Sequence, residues 1–196
     1  HYTSNENNTS AFPNLGLARA NAVKNYFVSH GISSKMINTT GKLDNTLIPD
    51  ASSTYYGPLN YSINTRDVND TSETDELKVL HDEIIFNPLI LYFDTASATI
   101  NLNDLQRLKV ANMVRYLDKT EGASIKPIGH SDNTGKRETN IRLGLDRAEF
   151  AKNYLVSNGI SSSKINSSSK GPDEPIADNT SEEGKAKNRR VVVILN

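Results

Sequence analysis

One segment of this chain occurs twice. Leu15-Gly-Leu-Ala-Arg-Ala20, Lys24-Asn-Tyr-Phe-Val-Ser29 and Gly31-Ile-Ser-Ser34 return 128 positions later as Leu143-Gly-Leu-Asp-Arg-Ala148, Lys152-Asn-Tyr-Leu-Val-Ser157 and Gly159-Ile-Ser-Ser162. About two thirds of the positions from Leu15 to Asn38 are identical between the two. Agreement of that order implies duplication of a folding unit. A length of 196 residues fits one large domain or two small ones, and the repeat selects two. The first copy is incomplete: with one extra residue in its loop, His1 lines up with His130, so the strand, helix and strand that precede His130 have no counterpart. Half a sheet cannot bury its own face, and residues 1–64 are not expected to be stable alone.

In the second copy, the stretch from Ile128 to Arg147 reads as strand end, loop and helix. Lys126 to Ile128 is extended, and Gly129, Asp132, Asn133 and Gly135 are turn formers that open the chain into a loop. From about Asn140, the apolar positions Ile141, Leu145, Ala148, Ala151 and Leu155 recur at helical steps, and Gly159, just past Asn158, ends the helix. Asn140 and Arg147 lie nearly two turns apart and so share a face on the flank of that stripe. Gly144 between them would leave the helix surface open for a ligand to lie close. A guanidinium fork suits a carboxylate and a loop carboxylate suits an ammonium group. Arg147 and Asp132 together could therefore hold one small zwitterion at two points.

Gly129-His-Ser-Asp-Asn-Thr-Gly135, then Asn140, then Leu143-Gly-Leu-Asp-Arg-Ala148 strongly resembles the signature of the OmpA-like peptidoglycan-binding domain, shared by OmpA proteins, Pal lipoproteins and the flagellar stator protein MotB. Leu89 to Phe93 followed by Asp94 looks like that family's first strand and its Phe-Asp. Pro175-Ile-Ala-Asp-Asn179, Glu183-Gly184 and Asn188-Arg-Arg-Val191 look like its closing segment. The resemblance covers about Leu89 to Leu195. It implies a non-catalytic cell-wall anchor that binds peptidoglycan through the diaminopimelate of the stem peptide. Asp132 would take the α-ammonium and Arg147 the α-carboxylate, with Asp94, Asn140 and Arg189 lining the same pocket. Asp146 departs from the small or apolar residue common beside that arginine.

Read in order, residues 1–64 form the end of a copy that has lost its site. Thr3 stands where the second copy has Asp132, Gly57-Pro-Leu-Asn-Tyr61 stands where it has Lys187-Asn-Arg-Arg-Val191, and Arg19 survives without its partners. Residues 65–83 are rich in Asp, Glu, Thr, Ser and Asn and read as a linker; Leu77, Val79 and Leu80 either add a turn of helix or rest against the second domain. The complete domain spans 84–196. Its strand runs from Leu89 after Pro88, a helix from Asn103 as cap to Leu117 with Leu105, Leu108 and Val114 on its apolar face, and a parallel strand from Ile125 to Ile128. After the site helix come a strand over Lys164 to Ser168, a loop from Gly171 to Gly184, and an apolar strand from Arg190 to Leu195 expected to be buried on both faces. The fold class is α/β: a βαβαββ sandwich with helices on one face of a mixed sheet, as in OmpA-like domains.

With 22 basic and 23 acidic residues there is no field to draw in nucleic acid or an anionic membrane. The longest apolar run, Val191 to Leu195, is far short of the roughly 20 residues that span a bilayer. The chain starts at His1 without a visible signal peptide, so it is expected to be a piece of a longer envelope protein, with any anchor upstream. The expected location is the periplasm, tied to the outer membrane or envelope. Histidines 1, 30, 81 and 130 lack metal-ligand spacing, cysteine is absent, and no cofactor is expected. His130 and Asp132 could suggest a hydrolytic pair, but no serine sits in a nucleophile elbow, and His130 reads as a packed or loop-bonding residue. An enzyme acting on peptidoglycan is therefore the lesser alternative. The other alternative is a protein-interaction module, with an envelope partner on residues 1–64.

Overall fold

The computed structural model describes residues 1–64, 72–93 and 102–196. They form two compact units, His1–Val79 and Leu80–Asn196. In the first unit, helix α1 (Leu15–Ser29) is capped by Asn14, whose side chain accepts from the Leu17 N–H at 2.8 Å. A 3₁₀ turn at Ser34–Met36 follows. Most of the remainder is irregular, and Tyr2 bridges to Leu43 in the parallel sense.

Helix α2 (Ser72–Phe86) occupies most of the stretch read as linker. Glu73 and Asp75 sit in its first turn, where the helix dipole favours negative charge. Pro88 disfavours helix at the residue before it, and strand β1 (Leu89–Tyr92) begins immediately after. Helix α3 (Asp104–Lys119) opens with a full capping box: Asn103 accepts from the Gln106 N–H at 2.9 Å, and Gln106 reaches back to the Asn103 N–H at 3.0 Å. Its buried face is Val110, Met113, Val114, Tyr116 and Leu117, whereas Leu105 and Leu108 are exposed, contrary to the stripe expected.

Strand β2 (Ile125–His130) leads through the site loop into helix α4 (Arg137–Ser157). Asn158 caps its C-terminus and Gly159, at φ +103°, turns the chain out of it. Strand β3 is Ser168–Gly171 and not Lys164–Ser168: Ser162–Lys164 is a 3₁₀ turn, and Ile165 makes only an isolated bridge to Ile125. The expected loop from Gly171 to Gly184 ends in a short helix, α5 (Glu182–Asn188), capped by the Ser181 hydroxyl on the Gly184 N–H at 3.1 Å. Strand β4 (Arg190–Leu195) closes the unit.

The sheet order is β1-β4-β2-β3, with β4 antiparallel to both neighbours and β2 parallel to β3. The architecture is the expected α/β sandwich on a mixed sheet. Leu89, Leu91, Ile125, Val191 and Val193 point to one face and are at most 2% exposed. Helix α3 lies against β1, and α4 against β2, β3 and β4. The other face is only partly covered: Ile90, Ile128, Val192 and Ile194 are half-buried and Tyr92 is exposed. Strand β4 is thus apolar because it is central, paired on both edges, although only one of its faces is fully buried.

Candidate functional site

Strand ends β1 and β2, the start of β4 and the inner side of α4 converge at one end of the sheet. The convergence begins with a close approach of backbones. A Cβ built on Gly129 would stand 1.7 Å from the Gly144 carbonyl oxygen, and one on Gly144 would stand 2.3 Å from Ser169 Oγ and 2.9 Å from the Gly129 oxygen. Gly144 therefore does not leave a surface open for a ligand; its missing side chain lets α4 sit directly on β2 and β3. The buried stripe of α4 is Asn140, Gly144, Arg147, Ala148, Ala151 and Leu155, with Leu145 outside it at 40% exposure. Asn140 and Arg147 lie within the stripe rather than on its flank.

Arg147 is 8% exposed. Its Nη1 donates to the His130 carbonyl at 3.2 Å, and its guanidinium carbon lies 5.9 Å from the centre of the Phe93 ring. Burial lowers its pKa, the charge of Asp132 opposes that shift, and Arg189 adds to it. The guanidinium remains a cation. The structure brings Asp132 and Arg147 within electrostatic reach of each other and places Arg189 with them.

Asp132 is held by two partners within the chain. Arg189 Nη1 reaches its Oδ2 at 2.9 Å, with both side chains largely buried, and the Thr134 N–H donates to its Oδ1 at 2.9 Å. Burial alone would raise the Asp132 carboxyl. The hydrogen bond from Arg189 and those from the Thr134 backbone and side chain outweigh it and hold the group below its ordinary range. Arg189 Nε is buried with no partner among the described residues. A buried guanidinium nitrogen of this kind calls for an acceptor. Asn140 is 4% exposed and donates to the Thr134 carbonyl at 3.0 Å, so it shapes the loop that presents Asp132. Asp94 lies outside the described residues.

The sequence reading missed the scaffold behind Arg189. Asn188, fully buried, accepts from the Ile176 and Ala177 N–H groups at 2.8 and 3.1 Å. It also donates to the Ala177 carbonyl at 2.8 Å and to Asn179 Oδ1 at 3.0 Å. The same Asn179 oxygen accepts from the Asn133 N–H at 3.3 Å, next to Asp132. One amide thus ties the closing segment to the site loop. The signal was present, since Asn188 heads the Asn-Arg-Arg-Val run, but only Arg189 was assigned from it. Phe93, the aromatic of the Phe-Asp pair, donates its N–H to the Arg189 carbonyl at 3.1 Å.

In the first unit, Arg19 is not without partners. Its Nη1 donates to the His1 carbonyl at 3.0 Å, and both terminal nitrogens meet the Glu6 carboxylate. A groove lined by Ile84, Leu105, Leu108, Met113, Glu83 and Lys109 lies between α2 and α3, apart from the charged site. Among the described residues no group of His, Asp and Glu could hold a metal, and no helix is long and apolar enough to cross a membrane.

The OmpA family model matches residues 92–189, a span that includes Asp94, Asp132, Asn140, Arg147 and Arg189. "Probable lipoprotein YiaD" of Escherichia coli K12 is 38% identical over 116 residues, 58% of this chain and 52% of that protein. The "Peptidoglycan-associated lipoprotein" of Mesorhizobium japonicum is 33% identical over 105 residues, 54% of this chain and 61% of that protein. The chain thus spans less than two thirds of these relatives' length. Among solved structures, the peptidoglycan-associated lipoprotein of Burkholderia pseudomallei aligns at 27% identity and a TM-score of 0.48, covering 55% of this chain and 89% of that one.

Proposed function

Because this chain belongs to the OmpA family, we propose that its second unit binds peptidoglycan without catalysis and anchors an envelope protein to the cell wall. The observation that carries the reading is the convergence of Asp132, Arg147 and Arg189 at one end of the sheet, largely buried and within electrostatic reach of one another. One carboxylate and two guanidiniums, among the described residues, suit a ligand that brings a carboxylate together with an ammonium group. The free end of a diaminopimelate side chain in a stem peptide has that chemistry. In this reading the α-ammonium shares Asp132 with Arg189, and the α-carboxylate seats on Arg147 with the unpartnered Arg189 Nε beside it. A relative named for association with peptidoglycan supports the coarser part of this reading, peptidoglycan binding, and the protein would work in the periplasm against the outer membrane or envelope.

The test is removal of either charge. Asp132→Ala and Arg147→Ala should each cost about 2 to 5 kcal/mol of binding, because each leaves the opposing group facing an uncompensated charge. Arg147→Lys keeps the charge, loses the planar fork and should also bind markedly worse. Co-sedimentation with purified sacculi, calorimetric titration with diaminopimelate, and circular dichroism as a folding control would measure this. Unchanged affinity in both alanine variants would refute the site.

A further inference from the structure

Arg19 of the first unit and Arg147 of the second sit in the same local frame. Each is the arginine of a Leu-Gly-Leu-x-Arg-Ala run on its helix. Each donates its Nη1 to the carbonyl of the histidine that precedes the loop, His1 at 3.0 Å and His130 at 3.2 Å. The frames continue alike: both helices hand over to a glycine at positive φ, Gly31 and Gly159, and then to a 3₁₀ turn. The glycine in each run is pressed against the following segment, Gly16 against Gly41 and Lys42, and Gly144 against Ser169.

The difference is what faces the arginine. In the first unit the Glu6 carboxylate forks onto it, with Oε1 on Nη2 and Oε2 3.3 Å from Nη1. Glu6 is anchored in turn: its Oε2 accepts from the Thr3 N–H at 3.0 Å, and its side chain is only 8% exposed. Thr3 stands where the second unit has Asp132, and the corresponding loop there, Asn133-Thr134-Gly135-Lys136, carries no acidic residue.

We propose that Arg19 is a second carboxylate seat, built on the same frame as Arg147 and occupied from within the chain by Glu6, so that the first unit is a plugged site that takes a simple carboxylate once Glu6 is removed. Thr3 brings no carboxylate where the second unit has Asp132, so the ligand class assigned to the seat is a carboxylate and not a zwitterion. The comparison with Arg147 rests on the proposed role of that residue, but the seat itself stands on the Arg19 contacts. An internal plug lowers apparent affinity by the fraction of time the seat is open, so a plug open a tenth of the time or less masks the site at least ~10-fold.

The experiment uses the full chain carrying Arg147→Ala, which silences the second unit and separates the outcome from that of the peptidoglycan reading. Sodium acetate is titrated while the Arg19 Nε–H resonance is followed by NMR. With Glu6 intact the resonance should barely respond. With Glu6→Gln or Glu6→Ala it should shift saturably, with apparent affinity at least ~10-fold higher, and adding Arg19→Ala should abolish the acetate-dependent shifts in the surrounding loop amides. An unmoved Arg19 resonance in both Glu6 variants, an equal response with Glu6 present, or collapse of the Thr3 loop amides in both variants would overturn the proposal, the last by making Glu6 a structural strut.

Discussion

His130 ends β2 with its carbonyl on Arg147; it is 3% exposed, with Nδ1 buried and unpartnered among the described residues. Burial pushes its imidazole down to about 4; Arg190 and Lys170 add to the shift and Glu174 opposes it. The folded pKa is below the unfolded one, so protonation favours the unfolded chain, and the ring's contribution is fully present above pH 6.5 and lost as pH falls towards 4. The whole difference, from 6.5 to about 4, amounts to about 3 kcal/mol at 1.36 kcal/mol per unit. About 2 kcal/mol of it should disappear between pH 7 and pH 5, above the range in which the carboxylates bonded in the fold begin to protonate. Urea unfolding of the wild-type chain and of His130→Gln, which cannot be protonated, should therefore give stabilities whose difference changes by about 2 kcal/mol over that interval, with the variant the flatter of the two. Parallel profiles, or a His130 ring that titrates near 6.5 by NMR, would refute the reasoning.

Asn188→Ala removes the bonds to Ile176, Ala177 and Asn179 and should cost about 2 to 4 kcal/mol in urea unfolding; because Asn179 also holds Asn133, sacculus binding should weaken at temperatures where the variant is still folded. Gly129→Ala would press a methyl into the Gly144 carbonyl and should destabilise the fold by at least ~3 kcal/mol. Gly144→Ala should cost less, about 1 to 3 kcal/mol, because the backbone atom it meets, the Gly129 oxygen, stands at 2.9 Å against 1.7 Å for the Gly144 oxygen in the reverse case, and its nearer obstacle is a side chain, the Ser169 hydroxyl; thermal unfolding of the two variants should show that order.

Elements with an explicit terminal signal were legible. Asn103 with Gln106, Pro88 before Leu89 and Gly159 after Asn158 each mark a boundary through a local hydrogen bond or backbone constraint, and the structure places the boundaries there. Helix α5 carried a signal of the same kind, Ser181 with acidic residues at 182 and 183, but the helix it opens is only seven residues long. Strand β3 was displaced because Lys164 to Ser168 has no apolar alternation to fix it. Its position is set by pairing with Ile128 and Gly129 across the sheet, and long-range pairing of that sort leaves little trace in a polar segment.

The faces of α3 and α4 were harder to read than their ends, for a reason that bears on the site. Helical periodicity groups residues that share a face, but choosing the buried face by hydrophobicity assumes that the core is apolar. In α4 the buried face carries Asn140, Gly144 and Arg147, while Leu145 is 40% exposed. Gly144 is there because two backbones touch, Asn140 because the loop carbonyl of Thr134 needs a donor, and Arg147 because His130 and Phe93 receive its guanidinium. Each of these contacts joins α4 to a segment outside the helix, distant in sequence or turned back on it, so none adds to the apolar period. A buried charge within such a stripe costs desolvation that packing does not return. It is held here against a carbonyl, an aromatic face and the field of Asp132, an arrangement in which the chain itself positions the guanidinium. Preorganisation of that kind reduces the ordering cost of binding, and under the function proposed above it gives a physical reason for the guanidinium to lie in the buried face of a helix rather than on its exposed side.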